Sequence, residues 1–167
     1  MVLPDVLKTG LRIVFCGTAA GRASGAAGCY YAHKRNKFWS VLHDTTITNE
    51  KLDPTAFNEV VKFGIGLTDL CKDLAGSDRD VRPKPEHRIV LRDKIERHRP
   101  TYLAFTSLEA GKRFFGRRVD FGRQSECIGD TRIFVLPSTS PMAAWNWNSN
   151  EKYWFELAEA ARCLESR

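Results

Sequence analysis

Three short apolar runs constrain this chain most: Ile13-Val14-Phe15, Leu103-Ala104-Phe105 and Ile133-Phe134-Val135-Leu136. Each is continuous rather than alternating, the pattern of a strand covered on both faces, as in a parallel sheet. A fourth candidate strand lies around Gly64-Ile65-Gly66-Leu67. Helical spacing fills the stretches between and after them. The segment from Asn36 to Asp44 opens with Asn36 as a plausible N-cap. From Glu86 to His98, Leu91 and Ile95 sit four apart, and Pro100 ends the pattern. Thr106 and Glu109 have capping-box spacing for a helix reaching Phe115. The last segment sets Trp154, Leu157, Ala158, Ala161 and Leu164 on one helical face, so Trp154, Phe155 and Leu157 are expected in the core. Strands alternating with helices imply an α/β fold in three layers, and residues 1–167 fit one domain.

Composition narrows the function classes. Hydrophobic residues are 43% and charged residues 28%, which excludes wholesale disorder, and no apolar run approaches the ~18 residues of a membrane span. The N-terminal MVLPDVLKTGLR has no basic region followed by a long apolar stretch, so an intracellular protein is expected, cytoplasmic or nuclear rather than secreted. Lys+Arg 26 against Asp+Glu 20 gives +6, a weak pull toward a polyanionic partner. The five cysteines (16, 29, 71, 127 and 163) are odd in number and form no CxxC, so buried or free thiols are expected and metal-ligand spacing is lacking. No GxSxG elbow, HExxH, GxGxxG or P-loop Lys-Ser/Thr occurs.

Three segments carry candidate chemistry. Gly17-Thr18-Ala19-Ala20-Gly21 follows the first strand, where small residues let a ligand approach the backbone; a tight strand-to-helix turn is the plainer alternative. Tyr30-Tyr31-Ala32-His33-Lys34-Arg35-Asn36-Lys37-Phe38-Trp39 mixes aromatics that stack on bases, cations that meet phosphates and an amide that orients a water; Phe38 and Trp39 suit a helix core. Pro137-Ser138-Thr139-Ser140-Pro141-Met142 is a rigid hydroxyl-rich turn suited to gripping phosphate, and it leads into a surface loop through Trp145 and Trp147.

Taken in order, these segments resemble the uracil-DNA glycosylase superfamily. Leu3-Pro4-Asp5-Val6-Leu7 and Leu11 to Gly17 are similar to the opening strand of mismatch-specific uracil and thymine-DNA glycosylases. Ala32-His33, Asn36-Lys37-Phe38-Trp39, Gly64 to Leu70 and Phe121-Gly122-Arg123-Gln124 also match, so the likeness spans nearly the whole chain. The Tyr30–Trp39 segment and Leu136 to Pro141 resemble the hypoxanthine-DNA glycosylase branch as well. The resemblance implies a three-layer α/β/α sandwich around a short, mainly parallel sheet. It implies hydrolysis of the N-glycosidic bond of a deaminated base, uracil first and hypoxanthine or xanthine after it. The nucleotide would be flipped from the duplex, and no metal or organic cofactor would be used. The partner would be DNA containing a deaminated base, with no membrane and a monomeric enzyme.

Site residues carry over by position. The relatives' first motif reads Gly-Ile-Asn-Pro-Gly, and its Asn positions water. Here Ala19 stands at that place and cannot do so. The resemblance lays the base against Gly17, Thr18, Ala19 and Ala20 and stacks it on Tyr31. The hypoxanthine branch uses the Asn of its aromatic segment, which implies Asn36 as the water-positioning residue, with N-capping as its other use. Asp69 falls where relatives contact the base, and a carboxylate there accepts a base N–H or activates water; it also suits a turn cap. Ser138, Thr139 and Ser140 align with the loop that pinches the DNA backbone, and Met142 with the wedge that fills the gap left by the flipped base. A DNA-facing surface is expected from segments 17–36 and 137–147, flanked by some of Lys34, Arg35, Lys37, Arg123 and Arg132. Two rival readings of the sequence are a DNA-binding module that lost its chemistry with Ala19 and a nucleotide-binding α/β enzyme.

Overall fold

Side chains along the buried central strand point alternately into two apolar clusters, and that alternation builds the molecule. In the computed structural model, which describes residues 1–165 and side chains through 163, strand β1 runs Ile13–Ala20. Ile13 and Phe15 face one apolar cluster, while Val14 and Cys16 face another. Strand β3 (Tyr102–Phe105) repeats the division, with Tyr102 and Ala104 on one side and Leu103 and Phe105 on the other. A strand with both faces apolar has to be covered twice, and helices do this here.

The sheet has five strands in the order β2-β1-β3-β5-β4, with β2 over Ile65–Ala75, β4 over Gly122–Ile128 and β5 over Thr131–Val135. Pairs β1–β2, β1–β3 and β3–β5 are parallel, and β4 runs antiparallel to β5. Helix α1 (Arg22–Ala27) follows β1, and helices α2 (Phe38–Asp44) and α6 (Lys152–Glu165) cover the first face, together with a 3-10 helix over Pro54–Phe63. There Phe38 and Trp154 close on Phe15, at ring separations of 5.3 and 5.6 Å. Helices α3 (Pro85–His98) and α4 (Leu108–Phe115) cover the other face through Leu91, Ile95, Ala110 and Phe114. The expected α/β/α sandwich with a mainly parallel sheet is therefore present. No helix among the described residues is long and apolar enough to cross a membrane.

Several local expectations need correction. Gly17–Ala20 is not a loop but the second half of β1, and Gly21 alone turns the chain into α1. Helix α4 is capped by Ser107, whose Oγ accepts the Ala110 N–H, and not by Thr106. Phe155 is 45% exposed, because it lies off the stripe formed by Trp154, Leu157, Ala158 and Ala161. Leu164 lies outside the described side chains. Strand β4 was not expected: its residues are mostly exposed and polar, since it forms the sheet edge. Segment 141–150 is not an open loop but a 3-10 helix (Pro141–Asn146) followed by α5 (Trp147–Asn150), with Trp147 buried and Trp145 exposed. Cys16, Cys29 and Cys71 are buried, and Cys127 is exposed.

Candidate active site

The chain leaves β1 toward β2 on one side and returns to β3 on the other, so the order reverses at β1. Open α/β sheets bind ligands outside the carboxyl ends of the strands at such a reversal. A cavity of about 770 Å³ lies there. Gly17, Thr18 and Ala19 from β1 line it, with Asp69 from β2, Thr106 after β3 and Ser138–Ser140 after β5. Tyr31, Asn36 and Met142 complete the set, so ten of the eleven expected site residues come together. Ala20 does not: it is buried in the core, and its carbonyl accepts the Gly76 N–H.

Asp69 sits opposite Gly17 in the β1–β2 register and is only 5% exposed. A Cβ at position 17 would lie 2.8 Å from Asp69 Oδ1 and 3.5 Å from Thr106 Oγ1. Glycine at 17 thus makes room for the carboxyl, a constraint of close approach rather than of backbone angle. Burial raises the Asp69 pKa from the ordinary carboxylate range to about 7, against the opposing pull of Lys72. Near neutrality the group is divided between an acid that donates and a carboxylate that accepts.

Thr18 is 2% exposed, and its Oγ1 is buried with no hydrogen-bond partner. Leaving a buried hydroxyl unpaired costs about 1–3 kcal/mol, so Thr18 offers the cavity an unused hydrogen-bonding group. Tyr31 adopts φ +51°, uncommon for a non-glycine residue and often found at functional sites. Neighbouring contacts enforce it: Ala32 N–H donates to Ser24 Oγ, and the Trp39 indole donates to Tyr30 O. The Tyr31 ring stacks on Phe38 at 3.8 Å, and its hydroxyl donates to Thr106 Oγ1 at 3.1 Å. The result is a rigid aromatic wall.

The N-cap of α2 is Lys37 and not Asn36 as expected; Asn36, one residue earlier, accepts the N–H of the first helical residue, Phe38, through Oδ1 at 2.9 Å. That bond fixes the side chain and leaves its amide NH2 to serve a ligand. The Lys37 N–H donates to Thr139 O and ties this segment to the serine-rich turn. Ser138 Oγ accepts Ser140 N–H, and Ser140 Oγ accepts Met142 N–H, so the turn is internally braced. Met142 and Trp145 stand 66% and 85% exposed at the cavity mouth.

Thr106 was missed as a site residue because its spacing suggested a cap. Its place directly after the apolar run that forms β3 is the available signal. Arg35 lines the cavity with Arg22 and Arg79. Arg132 does not belong to this surface: it is the second residue of β5, at the opposite end of the sheet, beside Thr9, Gly10 and Arg99. Among the described residues, no group of His, Cys, Asp and Glu could hold a metal ion.

The family model of the uracil DNA glycosylase superfamily matches residues 4–161. The chain belongs to that superfamily. Membership places it among DNA glycosylases, whose substrate is DNA. Its fold is similar to the solution structure of a candidate uracil DNA glycosylase from Methanosarcina acetivorans, at TM-score 0.61 and 19% identity. That likeness covers 98% of this chain and 96% of the other. At such identity it concerns the fold.

Proposed function

We propose that this superfamily member hydrolyses the N-glycosidic bond of uracil in DNA, with hypoxanthine and xanthine as further substrates, and that it works as a monomeric single domain without strand cleavage. The observation that carries the reading is the Asp69 carboxyl, buried against Gly17 in a cavity lined by Tyr31 and the unpaired Thr18 hydroxyl. Only an extruded base reaches such a site. Stacking on Tyr31 and a hydrogen bond from Thr18 would hold it there.

Expulsion of the base leaves positive character on the sugar, which a nearby carboxylate stabilises. The Asn36 amide donates to the attacking water, and ionised Asp69 takes the water proton as oxygen bonds to the sugar carbon. The glycosidic electron pair leaves with the base, giving a free base and an abasic sugar. Among the described residues no lysine lines the cavity, which supports hydrolysis without a Schiff base. The braced Ser138–Ser140 turn would take a phosphate through its hydroxyl protons, and Met142 would fill the vacated stack.

The test is single-turnover reaction with duplexes bearing uracil, hypoxanthine, xanthine or thymine, read before and after alkali. Alkali-dependent breaks at uracil are expected. DNA binding with no excision of any of these bases would overturn the reading and leave a binding module.

A further inference from the structure

Behind Asp69 lies a chain of charges that the excision scheme does not use. The Asp5 carboxylate is held between Lys94 Nζ of α3 at 2.6 Å and Lys72 Nζ at 3.0 Å, and it accepts the Thr68 hydroxyl at 2.7 Å. Lys72 Nζ also donates to the Tyr30 hydroxyl at 2.8 Å and lies 3.8 Å from Asp69 Oδ2. Side chains of Asp5, Lys72 and Lys94 are 14–20% exposed, so their fields are weakly screened.

The backbone is shaped to place this chain. The N-terminal segment pairs with the edge of β2 through Val6 and Leu67, setting Asp5 beside Thr68. Beyond Cys71 the register breaks: Ala19 faces Cys71, but Ala20 faces Ala75. Lys72 lies in the intervening stretch, and bulges of this kind re-aim side chains beside sites. Val2 N–H donates to Lys72 O at 2.7 Å and pins it there.

We propose that Lys72 and Asp5 are positioning residues for Asp69: the Lys94–Asp5–Lys72 chain fixes the carboxyl in the cavity and sets the charge it feels. This rests on the role given to Asp69 above. The charged groups facing Asp69 are Lys72 on its own strand, Asp5 of the N-terminal segment, Lys94 of α3 and Asp78 of the loop after β2. Cys16 and Tyr31 also adjoin it, and burial keeps both neutral. Lys72 and Lys94 favour the ionised carboxylate, while Asp5 and Asp78 oppose it.

Lys72→Met and Asp5→Asn therefore act in opposite directions, which a merely structural role would not produce. The test follows the Asp69 carboxyl by carbon NMR titration of the free protein, alongside the pH profile of single-turnover uracil excision. Lys72→Met should move both midpoints up by about one pH unit, a roughly tenfold rate loss on the acidic limb. Asp5→Asn should move them down, and Lys72→Arg should keep them within a few tenths of a unit. Midpoints that stay fixed, or that move the same way in both variants, would overturn the proposal. If Lys72→Met does not fold, the Asp5→Asn and Lys72→Arg titrations decide. Absence of excision by the wild type would sink the functional reading alone, because the carboxyl titration still reports the hold on Asp69.

Discussion

Replacing Asp69 by Asn should change how stability depends on pH, and the effect needs no substrate. In the unfolded chain the carboxyl ionises near 3.8, whereas burial in the fold raises it to about 7. Between those values the folded state keeps a proton that the unfolded state has lost. The contribution is fully present below the unfolded value and is lost as pH rises through the folded one. For this one group, the loss between about pH 5 and about pH 8 comes to roughly 2–3 kcal/mol, at about 1.4 kcal/mol for each pH unit over which the two states differ by one proton. The side chain is only 5% exposed, so solvent screening removes little of it. The amide introduced by Asp69→Asn has nearly the same shape as the carboxyl and no such titration. Urea unfolding of both proteins across that range isolates the contribution, because other groups cancel in the difference. The wild type should lose about 2–3 kcal/mol more than the variant, or about 4–10 °C in melting temperature. Parallel curves for the two proteins would show that Asp69 titrates normally and would refute the argument from burial.

Other expectations concern the same cavity. Asn36→Ala should lower single-turnover excision by about 10²-fold with little change in DNA binding, the scale for losing a group that places a reactant; gel-shift titration beside the rate assay checks both. Tyr31→Ala should weaken excision roughly 5- to 150-fold, from about 1–3 kcal/mol of base stacking, and equal loss of non-specific binding would assign Tyr31 to folding or general contact instead. Gly17→Ala puts a carbon 2.8 Å from Asp69 Oδ1, so the carboxyl must shift; a loss on the order of 10²-fold in rate is expected, with the Asp69 titration displaced in NMR. DNA affinity should fall steeply between about 50 and 200 mM salt as counterions are released, and a flat log–log plot would exclude the cationic rim around Arg22, Arg35 and Arg79.

What the sequence determined by itself is the frame. Continuous apolar runs at 13–15, 103–105 and 133–136 can only be buried on both faces, and they became β1, β3 and β5. Strand β4 escaped because an edge strand is held by backbone pairing to β5 and buries little side chain, so it leaves no apolar pattern. The order of the motifs points to the site residues, since strand ends in a parallel sheet converge whatever lies between them. Their chemistry was decided only in three dimensions. Nothing in the stretch around Asp69 tells that its carboxyl is buried against Gly17 and biased by Asp5 and Lys94, residues far off in the chain. Nor does Thr106 announce that it holds the Tyr31 hydroxyl from 75 residues away. Burial and charge are sums over neighbours in space, and those neighbours are assigned by sheet register and by the bulge after Cys71, not by local residue type.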